Sequence, residues 1–287
     1  MPELPEVETV VRGLRPHLVG RRIVATTQRR GDLREPLPRN FAARIAGRRV
    51  TAVERRAKYI LVRLAPPAGR TGDDTILIHL GMSGRLVMRR QNDGAAGPHD
   101  HVEFTLDDGG HLRFSDPRRF GLIDLVTAAG LRNDARFNRL GPEPLSSAFT
   151  PEMLKKALAN RRGPIKPILL DQGTIAGLGN IYACEALFRA GISPKRSART
   201  IGRERIARLV AAIKQVLKQA IAAGGSSARD YVQASGELGF FQHHWAVYDR
   251  QGLPCPGCDC GKPGKPGAIR RLVQGGRSTF YCPKRQR

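Results

Sequence analysis

Between Pro5 and Leu18 the apolar residues Val7, Val10, Val11, Leu14 and Leu18 return every three or four positions, with charged residues between them. That period puts them on one stripe and predicts an amphipathic helix. After Gly20 the pattern shortens. β-prone runs at Ile23–Thr27, Val50–Val53, Tyr59–Leu64, Thr75–Leu80, His101–Leu106 and Leu122–Val126 are separated by Gly, Pro and Asp. Asp107-Asp108-Gly109-Gly110 is a hairpin signal. From Thr150 the helical period returns. Thr150, Pro151 and Glu152 read as an N-cap, a proline at the first helical position and an acid in the first turn. Ile206, Leu209, Val210, Ile213, Val216, Leu217 and Ile221 form a second apolar stripe, closed by Gly224-Gly225. These patterns predict an α+β chain. An N-terminal helix on a β-sandwich occupies residues 1–130 and a linker 131–149. A helical domain follows over 150–240, and a basic, cysteine-bearing tail over 241–287.

Composition narrows the partner. The 287 residues include 49 Lys and Arg against 25 Asp and Glu, a formal charge of +24. Such an excess points to a polyanion, nucleic acid or an anionic membrane surface, rather than a neutral metabolite. Hydrophobic residues make up 40% of the chain, enough for a packed core. No apolar run reaches membrane-spanning length, and the acidic start Met1-Pro2-Glu3-Leu4-Pro5-Glu6 has no apolar signal segment, so a cytoplasmic location is expected. Four of the five cysteines, Cys255, Cys258, Cys260 and Cys282, crowd into the tail. They read as a local metal site in a reducing compartment, not as a disulfide framework.

Some residues carry chemistry of their own. If Met1 is trimmed, Pro2 presents a secondary amine, which attacks an electrophilic carbon to give an iminium, with Glu3 beside it to move protons. Lys58 stands among Arg55, Arg56 and Arg63, and a lysine desolvated near other cations is easier to deprotonate. His99 and His101, two apart on an expected strand, share a face, but no acidic cluster accompanies them and a metal is rejected there. Gly177-Leu178-Gly179-Asn180 opens a helical stretch in the manner of a phosphate-binding turn. A dinucleotide fingerprint is excluded because Tyr182 takes the place of its third glycine.

The opening Pro2-Glu3-Leu4-Pro5-Glu6-Val7-Glu8-Thr9 resembles that of the formamidopyrimidine-DNA glycosylases. The resemblance continues in order through Arg55–Tyr59, His79–Gly84, His99–His101, Asp116–Gly121 and Leu140–Leu145. Ile165–Pro167, Gly177–Tyr182 and Arg277–Cys282 complete it. It implies a helix–two-turn–helix architecture for the helical domain and a zinc-finger-like β-hairpin for the tail. Among site residues it implies catalysis by Pro2, Glu3, Lys58 and Arg277, with Lys58 helping to break the backbone after base removal. It implies DNA binding by His99, Arg118, Arg162, Lys166 and Asn180. Met82, Arg118 and Phe120 would fill the gap left by a flipped nucleotide. The family carries two C-x2-C knuckles, but here Arg285 stands where the fourth cysteine belongs. Cys258, an extra cysteine between Cys255 and Cys260, is then the expected replacement, giving one structural zinc on Cys255, Cys258, Cys260 and Cys282.

The implied activity is that of a monomeric bacterial repair enzyme. It flips an oxidised purine from double-stranded DNA into an interdomain cleft, excises it through Pro2 and cleaves the abasic site by β,δ-elimination. Three readings compete with it. An endonuclease VIII-like enzyme for oxidised pyrimidines typically has glycine where this chain has Leu4. A non-catalytic zinc-ribbon protein binding DNA, or an RNA-binding protein, would explain the charge alone.

Overall fold

The computed structural model describes residues 1–66, 73–90, 94–227 and 231–287. Helix α1 (Leu4–Leu18) buries the whole predicted stripe. The strands that follow are β1 (Arg22–Gln28), β2 (Arg48–Arg56), β3 (Tyr59–Leu64), β4 (Asp74–His79), β5 (Arg85–Arg89), β6 (Asp100–Leu106), β7 (His111–Ser115) and β8 (Leu122–Thr127), with a short helix α2 (Phe41–Ile45) between β1 and β2. They pair antiparallel in the order β5-β7-β6-β1-β2-β3-β4-β8. Among the described residues only two pairs, Arg22 with Arg49 and Ile23 with Arg48, join the β1 half to the β2 half. The sheet therefore folds over at this narrow junction into a sandwich. Ile23, Phe104, Leu106 and Leu112 of one half and Val50, Val62, Ile76 and Ile78 of the other share one core with α1. Each such fully buried aliphatic side chain stabilises the fold by about 1.5–3 kcal/mol. The sequence pattern misses β5 and β7, each five residues long with only two buried side chains, Leu86 and Val87 in β5 and Leu112 and Phe114 in β7. Short helices α3 (Ala128–Arg132) and α4 (Ala135–Asn138) complete this part.

The helical region comprises α5 (Pro151–Leu158), α6 (Ile165–Leu170), α7 (Asn180–Ala190) and α8 (Arg203–Ala222). Thr150 caps α5 as expected, its hydroxyl accepting from the Met153 N–H at 3.1 Å. Helix α7 is buried on nearly every side, and the α8 stripe is buried throughout. A hairpin of β9 (Arg270–Gln274) and β10 (Arg277–Tyr281) ends the chain. Its two-residue turn, Gly275-Gly276, has φ of +54° and +70°, which only glycine adopts without strain at both positions.

The chain divides into two compact units, Met1–Asn138 with Ala223–Phe240, and Arg139–Ala222 with Phe241–Arg287. By its position after α8 the stretch 223–240 is expected to belong with the helical region. In the structure its hydrogen bonds run to the N-terminal unit: the Met88 N–H donates to Ala234 O at 2.9 Å, and Gly13 leaves room for Ala234. Among the described residues no helix is long and apolar enough to cross a membrane.

Candidate active site and nucleic-acid interface

Pro2 and Glu3 lie buried at the start of α1, with Met1 exposed beyond them. Glu3 is the N-cap, and its backbone N–H donates to Glu6 Oε2 at 2.8 Å. The other Glu6 oxygen accepts from the Ser226 N–H at 2.8 Å. One buried carboxylate thus fixes both the turn that carries Pro2 and the start of the 226–240 segment. Around it, the Tyr231 hydroxyl donates to Gly224 O at 3.2 Å. Burial, reinforced by the Glu6 charge, pushes that phenol far above its ordinary range. Gly225 is held at φ +81°, and a Cβ there would sit 3.1–3.2 Å from Tyr231 and Glu6. Sequence reasoning missed Glu6, because an acid in the first turn of a helix is ordinary capping chemistry.

Lys58 is buried, and it lies in the two-residue turn between β2 and β3. Ala57 takes the left-handed conformation (φ +53°) to close that turn. Arg55 ties the turn to α1, donating to Ala57 O at 3.0 Å and to Glu8 Oε2 at 2.9 Å. Burial raises the Glu8 carboxyl, but the hydrogen bonds from Arg12 and Arg55 outweigh it and hold the group below the usual range. On β4, burial first, then the Lys58 and Arg34 charges, lower His79 to about 4. Geometry agrees: His79 Nδ1 accepts from the Gly81 N–H at 3.0 Å, which requires a neutral ring.

The three residues expected to fill the base gap stand on two touching loops of this same unit. Met82 is 38% exposed and Phe120 45%, so neither serves as core packing. The Arg118 guanidinium lies over the Phe120 ring at 4.8 Å. Gly81 (φ +61°) has no room for a side chain, since a Cβ would fall 2.3 Å from the Phe120 carbonyl carbon. His99 and His101 do not share a face. His99 lies in the turn before β6 and is exposed, whereas His101 is buried with Nε2 2.8 Å from Asp116 O. A register shift between Asp100 and Val102 breaks the alternation on which the expectation rested.

In the second unit Asn180 begins α7 and Arg162 is exposed in the turn before α6. Arg277 is exposed on the strand that leaves the hairpin turn. Lys166 departs from expectation. It is 0% exposed, so it is not available as a direct phosphate contact. Its ammonium donates to Asn180 Oδ1 at 2.6 Å, Thr279 Oγ1 at 2.8 Å and Ser278 O at 3.1 Å. Asn180 Nδ2 also donates to Ser278 O, at 2.9 Å. The lysine and the asparagine together hold the residue next to Arg277.

The sulfur atoms of Cys255, Cys258, Cys260 and Cys282 all lie within 4.8 Å of one another. Cys258, Cys260 and Cys282 are 3.4–3.6 Å apart pairwise. Thiolates around a tetrahedral ion with metal–sulfur bonds near 2.3 Å would stand about 3.8 Å apart, so the cluster suits a metal. Burial lifts Cys255 to about 11 and Cys260 to about 12. Burial also acts on Cys258, but hydrogen bonds from Cys260 and the neighbouring thiols outweigh it and lower Cys258 to about 7. Arg285, in the place of the expected cysteine, turns away: Nη1 donates to Gly257 O at 3.0 Å and the guanidinium covers the Phe188 ring at 5.0 Å. The hairpin also has apolar support from Ile269 and Phe280, whereas Val273 is exposed.

A helix-backed β-sandwich in one unit, and a helix–two-turn–helix with a cysteine-clustered hairpin in the other, define a class of base-excision DNA glycosylases. The model of the formamidopyrimidine-DNA glycosylase N-terminal domain matches residues 1–123, and that of the formamidopyrimidine-DNA glycosylase H2TH domain matches 140–232. The formamidopyrimidine-DNA glycosylases of Rhodospirillum centenum and Acidiphilium cryptum are 56% and 52% identical to the chain, each over 100% of both sequences. Among solved structures, the MutM (Fpg) protein of Thermus thermophilus is 40% identical with a TM-score of 0.84, covering 99% of this chain and 98% of that one. The Lactococcus lactis Fpg in complex with an abasic-site-containing DNA is 29% identical with a TM-score of 0.87, covering 99% of each. The chain belongs to the formamidopyrimidine-DNA glycosylase family, whose members are bifunctional glycosylases and abasic-site lyases.

Proposed function

We propose that this enzyme excises oxidised purines, 8-oxoguanine and formamidopyrimidines, from double-stranded DNA and then cuts the strand on both sides of the abasic sugar. The observation that carries the reading is the buried N-terminal turn, in which Pro2 is fixed next to Glu3 and braced by Glu6. With Met1 removed, the Pro2 nitrogen attacks C1′ and the C1′–base bond breaks, the base leaving with a proton. Glu3 manages protons as the sugar ring opens to the iminium. Loss of the C2′ proton expels the 3′ phosphate, and a second elimination, assisted by Lys58 and Arg277, expels the 5′ phosphate. Water then hydrolyses the iminium and frees the Pro2 amine.

Met82 and Phe120 fill the vacated stack, and Arg118 bonds the orphaned base. His99, Arg162 and Asn180 meet the backbone, while Lys166 acts from beneath by fixing Asn180 and β10. Cys255, Cys258, Cys260 and Cys282 hold one structural zinc, which would cross-link the knuckle to the hairpin. The enzyme works as a monomer in the bacterial cytoplasm, in keeping with its bacterial relatives.

A second substrate class has one observation in its favour: a solved relative, the Lactococcus lactis Fpg, is in complex with an oxidised-pyrimidine-containing DNA. Borohydride reduction of the protein on duplexes carrying 8-oxoguanine or an oxidised pyrimidine separates the readings. A covalent adduct forming faster on the 8-oxoguanine duplex is expected. Faster trapping on the pyrimidine lesion would reassign the substrate, and retention on DNA without an adduct would leave a binding protein.

A further inference from the structure

Four residues of the N-terminal unit assigned to DNA, His99, Met82, Arg118 and Phe120, come from three separate loops, and each is one or two bonds away from a single buried group. Asp116 is fully buried and cannot touch DNA. Its Oδ1 accepts from the Ser83 hydroxyl at 2.5 Å, the residue after Met82. Its Oδ2 accepts from the Gly121 N–H at 2.7 Å, the residue after Phe120. The Ser83 oxygen in turn accepts from the Arg118 N–H at 3.2 Å. The Asp116 N–H donates to His99 O at 2.9 Å, and Asp116 O lies 2.8 Å from His101 Nε2. A carbonyl only accepts, so His101 carries its proton on Nε2 and serves as a donor.

We propose that Asp116 is the positioning residue that sets the base-gap loops and His99 in one register, so that they enter the DNA together. The inference rests on the reading of Met82, Arg118 and Phe120 as gap fillers. The chemistry requires a short acceptor with two oxygens. Asparagine offers one oxygen, so either the Gly121 N–H faces a second donor or the Ser83 hydroxyl must turn to accept from Nδ2 and loses the acceptor for its own proton, and glutamate adds a methylene to a packed site. The loops are packed to match. A Cβ on Gly121 would fall 2.5 Å from the Phe114 ring and 3.0 Å from Asp116 Oδ2, and one on Gly84 would fall 2.3 Å from Leu80 O. Movement of the carboxylate is therefore passed to both loops.

The test compares wild type, Ser83→Ala and Asp116→Asn on a duplex with 2-aminopurine beside 8-oxoguanine, reading the fluorescence rise on unstacking and the rate of excision. Borohydride trapping on a single-stranded abasic oligonucleotide, which has no opposing base and no stack to fill, is the control. Ser83→Ala removes only the hydroxyl links and keeps the buried carboxylate, so it covers the case in which Asp116→Asn does not fold. The expected result is a loss of about tenfold in the rates of fluorescence rise and excision on duplex, the size of one or two lost hydrogen bonds, with single-strand trapping unchanged for Ser83→Ala and a melting temperature that falls but stays above the assay temperature. Wild-type duplex rates in both variants, or equal losses on duplex and single strand, would overturn the proposal. A wild-type protein that traps no DNA at all would refute the glycosylase reading and the proposal with it.

Discussion

His79 lies between the Tyr59 ring, 4.9 Å away by centroids, and the Gly81 N–H that it accepts. Its ordinary value of 6.5 falls to about 4 through burial and then through the Lys58 and Arg34 charges. Between these two values the unfolded chain takes up a proton that the folded chain refuses. Stability therefore declines as pH falls from 6.5 towards 4, by about 3 kcal/mol in all, and is unaffected by this group above that window. His79→Gln should unfold in urea with a flatter pH dependence than wild type between about pH 7 and about pH 4.5. Matching slopes would show that the ring ionises freely in the folded state. Pro2 supports a second prediction at this scale. Acylated by Met1, its nitrogen is an amide with no lone pair for attack, so protein that is trapped on DNA should have the mass of a chain lacking Met1. An adduct that retains Met1 would exclude Pro2 as the nucleophile. Pro2, Lys58, Met82 and Arg277 stand out as candidates in the sequence through the order of the family-like motifs that carry them. Glu6 and Asp116 do not, because an acid in a first helical turn and an aspartate before proline each have a commonplace local use.

Among the elements, helices α1, α5 and α8 and most strands followed from period and capping, because these helices bury one face and are bounded by Pro, Thr or Gly signals, whereas the short helices α2, α3 and α4 are too short to show a period. Strands β5 and β7 are obscured by their shortness, with two buried residues each among charged and polar ones, and the placement of 223–240 depends on tertiary hydrogen bonds that no local pattern records. The cysteine hairpin was legible in outline. Its spacing named the four thiols, while the structure adds the reason that Arg285 is tolerated, a guanidinium stacked on Phe188 and bonded to Gly257 O. Purified protein should contain one zinc per chain. Cys258→Ser should lose most of it, since three thiolates leave a more open and weaker site, and Arg285→Cys in that background should restore it. Zinc-free wild type would remove the metal from the reading. Full zinc in Cys258→Ser would show that Cys258 is not a ligand.

For the whole molecule the dominant property is the charge of +24, and the structure sorts that charge into cations that can reach phosphate and cations that cannot. Arg118, Arg162 and Arg277 are exposed, whereas Lys166 is sealed beneath β10 with neutral oxygens around it. Exposed arginines on phosphate release condensed counterions, each adding roughly −0.9 to the slope of log affinity against log salt, so Arg162 and Arg277 alone imply a slope of about −2 or steeper on duplex DNA. Arg162→Gln should flatten the slope by roughly 0.9 and weaken binding alike for damaged and undamaged duplexes. Lys166→Met should weaken binding differently, leaving the slope unchanged as long as Arg277 keeps its phosphate, because what it loses is the anchoring of the neutral Asn180. Titration of a labelled duplex over a series of salt concentrations reads both effects at once. A flat response in wild type would mean that the net charge does not act through phosphate, and a slope change in Lys166→Met equal to that of Arg162→Gln would mean that the lysine leaves its buried seat when DNA binds.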